Sequence, residues 1–269
     1  MVSTELKHVA QVTINRPDRM NAMNRDFFED VRAFFTAASK DPSIRVVVLS
    51  AEGKHFSAGL DLEDFRDLLM PKNTQAFDVA RDACGMLNFV SGLQDSFAAV
   101  TACSKPVIAA VQGACVGGGV DLVLAADMRL CTRDAHFCVK EVDIGICADM
   151  GTLQLLPKAV GSDSLARELV YTARKLPASE ALSCGLVSKV LDDAAQMREA
   201  ALELATTIAG KSPVAVQGTK LHLNYARDHS VADSLKHQAL WNAIMLRSKD
   251  VPISVQARMR NEAPSFPDL

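Results

Sequence analysis

ACVGGGVDLVLAADMRLCTRDAHFCVKEVDIGICADMG, residues 114–151, decides how this chain is read. It holds a glycine run, Gly117-Gly118-Gly119, and three acids, Asp121, Glu141 and Asp149, that its pattern assigns to one site. An apolar run, Pro106 to Val111, precedes the glycines and predicts a buried strand. Val120 to Ala126 follows, apolar and compatible with a helix. The order is strand, glycine turn, helix start. Glycines there permit positive φ and a close approach to the backbone amides. The first N–H groups of a helix have no internal partner, and the helix dipole favours negative charge beside them. Such a place suits an oxygen that gains charge during a reaction. Taken alone, a GGG run more often marks a tight, closely packed turn, and it is not a nucleotide-binding fingerprint.

The acids shift that reading toward chemistry. Asp121 falls in or near the first helical turn, while Glu141 and Asp149 flank the mostly apolar VDIGICA. A lone acid is usually a solvated surface charge, and Asp127 and Asp143 are read in that way. Several acids around one apolar cleft are different. Lost solvation and mutual repulsion raise their pKa values, so a group can hold or release a proton near neutral pH. General acid–base chemistry needs that property.

Composition bounds the alternatives. A chain of 269 residues can bury a substantial core as one domain, or one domain plus a short appendage. A net charge of −3 gives no global case for nucleic acid or an anionic membrane. No apolar run approaches about 18 residues, so no transmembrane helix is expected. The opening MVSTELKHVAQVTI shows neither a secretory apolar core nor an Arg-rich transit pattern, and the closing PSFPDL is not the usual peroxisomal SKL. The expectation is a cytoplasmic protein. The seven cysteines are odd in number and form no C-x-x-C pair, so they are read as buried thiols in a reducing compartment. Cys147, between the later acids, is read as pocket or core lining rather than a nucleophile. The six histidines lack metal-binding spacing, so no metal is expected. Gly210-Lys211-Ser212 resembles the end of a phosphate-binding loop, but position 205 is Ala and a helical pattern, not a strand, precedes it. No G-x-S-x-G elbow occurs.

Along the chain, His8 to Asn15 alternates as a strand, and Asn24 to Ser39 is helical with Phe27, Phe28, Val31, Phe34 and Phe35 on one broad face. Val46 to Leu49 is wholly apolar, as in a sheet covered on both faces. A small-residue loop, Ala51 to Asp61, comes next, then a mixed helical region to about Val100 broken at Pro71. After Gly151 short helical pieces appear at 153–157, 163–172 and 179–183, and Leu186 to Leu191 reads as a strand end. Longer helices are expected at Gln196 to Ile208, from Ser212 to about Arg227, and at Val231 to Leu246. The fold class is α/β with crossovers. The expected division is a core over 1–200 and a separable C-terminal helical region over 201–269, to which the resemblance described next implies an oligomerisation role.

Four stretches, NRPDRMNAMN (Asn15 to Asn24), HFSAGLDL (His55 to Leu62), KPVIAAVQGACVGGGVDLVLAADMRL (Lys105 to Leu130) and PASEALSCGLVSKVL (Pro177 to Leu191), resemble the crotonase, or enoyl-CoA hydratase/isomerase, superfamily over nearly the whole chain. The resemblance implies a ββα superhelix core with a C-terminal helical region, trimers or hexamers, and acyl-CoA substrates. It implies an oxyanion hole from the backbone amides of Leu60 and Gly118, and a coenzyme A site near Met20, Ala22 and Ala58. It implies no cofactor beyond the coenzyme A carried by the substrate. It also makes a mitochondrial or peroxisomal matrix the alternative to cytoplasm.

Typical hydratases of the superfamily carry glutamates at the positions matching Asp121 and Glu141, and glycine where Asp149 stands. Here the trio lies in GGGVD, KEVDIG and ADMGTLQ and is similar to that of the dienoyl-CoA isomerases. That similarity implies conversion of 3,5-dienoyl-CoA to 2,4-dienoyl-CoA in the β-oxidation of unsaturated fatty acids, with Asp121, Glu141 and Asp149 catalytic. Water addition to a 2-enoyl-CoA, with Asp149 incidental, is the competing expectation. A crotonase-fold protein acting by binding, for instance to RNA, is a third; it has no need of three pocket acids, and the chain shows no basic, aromatic-interleaved run.

Overall fold

The computed structural model describes residues 2–3, 6–70 and 78–269, and its chain order follows the apolar pattern. A short edge strand, Val2–Ser3 (β1), and Val9–Ile14 (β2) lead into the helix Arg25–Lys40 (α1). Val46–Ala51 (β3) is followed by Arg66–Leu69 (α2) and the long Val79–Ala102 (α3). Val107–Val111 (β4) and Ala114–Val116 (β5) precede Gly118–Ala125 (α4). Met128–Thr132 (β6) and His136–Cys138 (β7) precede Thr152–Val160 (α5) and Asp163–Thr172 (α6). Then come Leu176–Pro177 (β8), Ala178–Ser183 (α7) and Lys189–Leu191 (β9). The chain closes with Ala194–Ala209 (α8), Pro213–Tyr225 (α9), Val231–Met245 (α10) and Asp250–Arg260 (α11).

Two sheets organise these elements. The larger runs β1-β2-β3-β4-β6-β9, parallel except for β1, with Val9 opposite Val46 and Val47 opposite Val107. The smaller runs β5-β7-β8, and single bridges from Ser57 to Cys115 and from Met23 to Leu60 continue its line. Each turn of the chain therefore gives a strand to the large sheet, an extended segment to the small layer, and a helix. Four such turns, through Met23, Ser57, β5 and β7, make the expected ββα superhelix.

The large sheet is covered on both faces, which is why β3 and β4 are almost wholly apolar. On one side Val47, Leu49, Ala109 and Val111 pack with Phe28, Phe35 and Phe97 from α1 and α3. The Phe28 and Phe97 rings lie 5.6 Å apart. On the other side Met197, Ala201, Ala205 and Ala209 of α8 meet Val46, Val48, Ile108 and Ala110. Their four-residue spacing puts them on one helical stripe. Asn24 caps α1 by accepting the Phe27 N–H at 3.2 Å, which fixes where that helix begins.

Several expectations need correction. The helix expected at 196–208 is α8 and belongs to the main sheet, so residue 200 falls inside it. Residues 250–260 form α11, which the apolar pattern had not disclosed. Cys84 and Cys147 are exposed; Cys103, Cys115, Cys131 and Cys138 are buried. The apolar run after Glu141 is surface, with Val142, Ile144 and Ile146 exposed. Pro71 lies outside the described residues. Among the described residues no helix is long and apolar enough to cross a membrane.

Candidate active site

Two backbone turns meet at the centre of the site. The Met23 N–H donates to the Gly59 carbonyl at 2.8 Å, and the Asp61 N–H donates to the Met23 carbonyl at 3.0 Å. Met23 thus pairs with both neighbours of Leu60, and the Leu60 N–H turns to the opposite side, as in any parallel pairing. Gly118 is the first residue of α4, so its N–H has no acceptor within the helix. Gly59 (φ +87°) lets these turns approach: a Cβ there would sit 2.8 Å from the Val116 carbonyl oxygen and 3.5 Å from the Gly118 nitrogen. Gly117 (φ +53°) does the same for an acid, since its Cβ would lie 3.2 Å from Glu141 Oε1.

Buried polar side chains hold the Leu60 turn. Ser57 Oγ donates to the Asn21 carbonyl at 2.8 Å and accepts the Gly59 N–H at 3.1 Å. Asn21, buried and at φ +55°, donates from Nδ2 to the Glu52 and His55 carbonyls, both at 2.8 Å, and accepts the Arg16 N–H. The Ala58 N–H donates to the Met20 carbonyl at 3.0 Å, and Arg16 Nη1 donates to the Ala22 carbonyl at 2.6 Å. Met20, Ala22 and Ala58 are therefore parts of one loop pair beside Leu60.

The acids come from three elements. Asp121, the fourth residue of α4, is 1% exposed, and its Oδ1 accepts the N–H of Thr152, the first residue of α5, at 2.7 Å. Burial is the main cause that pushes its pKa up to about 7; the Thr152 contacts oppose the rise, and the charges of Glu141 and Asp149 add to it. Glu141 opens a 3-10 turn, Glu141–Ile144, and is half-buried. Burial raises its pKa, nearby backbone N–H groups oppose this, and the Asp149 charge adds to it. Among the described residues its Oε2 is buried with no hydrogen-bond partner. Asp149 keeps contact with solvent, yet the protein around its carboxyl still raises its pKa through desolvation. All three expected acids have raised pKa values, and the charge of Asp149 adds to the rise at Asp121 and at Glu141.

Asp149 also faces a cavity of about 950 Å³, the upper end of what ligand pockets span. Phe97, Met150, Leu155, Tyr225 and Trp241 contribute to its walls. Asp121, Glu141, Leu60 and Gly118 do not line it, so of the three acids Asp149 is the one in its wall. Two contacts on this segment had no sequence signal. Thr152 serves through its backbone, and Gln94 of α3 donates from Nε2 to the Asp149 carbonyl at 2.6 Å. Among the described residues no group of three or more His, Cys, Asp or Glu is placed to hold a metal ion.

A ββα superhelix that sets glycine-lined backbone turns against three acids of raised pKa has the kinds of group that proton transfer beside a developing oxyanion calls for. The chain belongs to the enoyl-CoA hydratase/isomerase family, whose profile matches residues 4–257. It is 51% identical to the human mitochondrial Delta(3,5)-Delta(2,4)-dienoyl-CoA isomerase over 97% of this chain and 79% of that one. It is 41% identical to the peroxisomal Delta(3,5)-Delta(2,4)-dienoyl-CoA isomerase of Arabidopsis thaliana, over 97% and 93%. Among solved structures, an enoyl-CoA hydratase from Bacillus anthracis superposes with a TM-score of 0.89 at 28% identity, over 99% and 98%.

Proposed function

We propose that this chain is an isomerase that converts 3,5-dienoyl-CoA to 2,4-dienoyl-CoA in the β-oxidation of unsaturated fatty acids. The observation that carries the reading is the third acid. Asp149 stands in the cavity, apart from the more buried Asp121 and Glu141, yet coupled to both through their charges. A hydratase needs only two acids to hold water; moving a proton along an acyl chain from C2 to C6 calls for acids at two places.

In this scheme the thioester oxygen lies against the Leu60 and Gly118 N–H groups. Asp149 takes the C2 proton, and the electron pair of that C–H bond spreads through the diene onto the thioester oxygen as an extended enolate. Two preorganised donors stabilise that charge, each worth about 3 kcal/mol of barrier. Glu141, protonated at the start, delivers a proton to C6, and the double bonds settle at C2 and C4. The raised pKa of Glu141, caused chiefly by burial, supports this role because it favours the neutral form. Asp121 shares the proton with Glu141. The scheme uses no metal or redox group.

Met20, Ala22 and Ala58 are assigned to coenzyme A, on the loop pair beside Leu60. The region after α8 is assigned to assembly into a trimer or hexamer: α10 buries none of its residues, and Leu235, Leu240 and Ile244 are more than 60% exposed. The mitochondrial and peroxisomal names of the relatives support an organelle matrix over the cytoplasm. Ultraviolet absorbance tests the activity directly, since conjugating the diene with the thioester creates a new band. The band is expected with 3,5-octadienoyl-CoA, with weak turnover of crotonyl-CoA. Rapid hydration of crotonyl-CoA without the band would replace the isomerase reading by the hydratase one.

A further inference from the structure

We propose that Gln94 is a positioning residue for Asp149, which makes α3 part of the proton-transfer apparatus. The proposal rests on the isomerase reading and assigns that site a part outside its acids and amides.

The segment from Asp149 to Thr152 is pinned at both ends by side chains from other helices. Asp121 accepts the Thr152 N–H at 2.7 Å, and Gln94 Nε2 donates to the Asp149 carbonyl at 2.6 Å. Between the pins the chain has no strand or helix of its own, and Gly151 stands at φ +126°, where backbone freedom is greatest. The direction of the Asp149 side chain follows from how its own peptide is held. The Asp121 pin is buried and fixes the helix start; the Gln94 pin acts on the acid's own residue.

Helix α3 is a firm base for such a pin. Phe97 and Val100 are buried, at 2% and 0% exposure, and Leu93 packs against the same core. Gln94, Phe97, Ala98 and Thr101 fall on one helical face at spacings of three, four and seven, and that face lines the cavity Asp149 enters. Gln94 thus reaches the acid from the cavity wall itself. It is uncharged, so its grip does not change as the acids titrate. A misplacement of about 1 Å in a reacting group costs roughly a hundredfold in rate, so one such hydrogen bond suffices to matter.

The test is Gln94→Met, which keeps the length of the side chain and removes the donor. On 3,5-octadienoyl-CoA the variant is expected to lose about tenfold or more in kcat while KM stays within about twofold, because the cavity wall keeps its shape. Amide hydrogen exchange is expected to quicken at residues 149–152 and to hold elsewhere in α3 and α5. In an Asp149→Asn background, adding Gln94→Met is expected to leave the residual rate unchanged, since the group it positions is gone. Unchanged kcat in Gln94→Met, an equal fractional loss in both backgrounds, or unaltered exchange at 149–152 would overturn the proposal. Wild-type protein that makes no diene band overturns the isomerase reading instead, and the exchange measurement still decides whether Gln94 holds the segment.

Discussion

Gly59, Leu60, Gly117 and Gly118 present backbone atoms from turns locked between buried neighbours, whereas residues 141–151 present side chains from a stretch that is mostly exposed. The first region is tied to the sheet through Met23, Ser57 and Asn21. The second runs between β7 and α5, with its 141–144 turn against α6, and two side-chain hydrogen bonds at its end, Asp121–Thr152 and Gln94–Asp149, hold it. Oxyanion stabilisation needs donors that do not move, and a packed backbone supplies them whatever side chain Leu60 carries. Proton transfer needs acids whose position and pKa can be tuned, and a surface stretch tolerates such change. In the proposed scheme one half supplies the oxyanion donors and the other selects which carbon loses or gains a proton.

That contrast can be broken at several points. Among these variants Glu141→Gln should have the largest effect on turnover, about a thousandfold loss in kcat, with a thermal midpoint unchanged or higher because a half-buried acid whose pKa burial raises is removed. A comparable loss of stability would show that the acid side is structural too. Gly59→Ala should cost both activity and stability. Its Cβ would meet a backbone oxygen at 2.8 Å with φ at +87°, so the Leu60 amide must shift. A roughly hundredfold drop in kcat/KM and a destabilisation of about 1–3 kcal/mol in denaturant unfolding are expected. Normal activity in that variant would dissociate the Leu60 turn from catalysis.

Asp121→Asn sharpens the comparison through pH. Burial raises the Asp121 pKa from 3.8 to about 7. The folded chain therefore keeps a proton that the unfolded chain has lost between those values. The stabilisation is fully present below 3.8 and is lost as pH rises through about 7. Asparagine abolishes that dependence and still accepts the Thr152 N–H. Its thermal midpoint is expected to exceed the wild type's by roughly 10 °C at pH 8 and to converge with it near pH 4; parallel curves would contradict an elevated pKa. The smallest effect is expected from Ile144→Ser, on the exposed side. A change within about 0.5 kcal/mol fits a surface position, and a larger loss would mean that this stretch is packed against another subunit.

The backbone half was largely legible in the sequence. Wholly apolar strands and glycines at tight approaches have local meanings, so β3, β4, the turn at Gly117 and the start of α4 could be placed from pattern alone. The acids could be named, and their coupling anticipated, but not their different depths. The apolar VDIGICA suggested burial, and the structure exposes most of it. Gln94 was invisible because its contact spans 55 residues and an exposed glutamine on a helix carries no pattern. Helix α11 escaped because it buries only Asp250 and Ala257, too few positions to leave an apolar stripe.

The central claim is that Asp149, in the cavity, makes this fold an isomerase. The most direct measurement is the absorbance change with 3,5-octadienoyl-CoA for wild type beside Asp149→Asn, both checked for the same thermal midpoint. The account predicts a growing band with wild type and its near-complete loss in the variant. A variant that forms the band at the wild-type rate would contradict it.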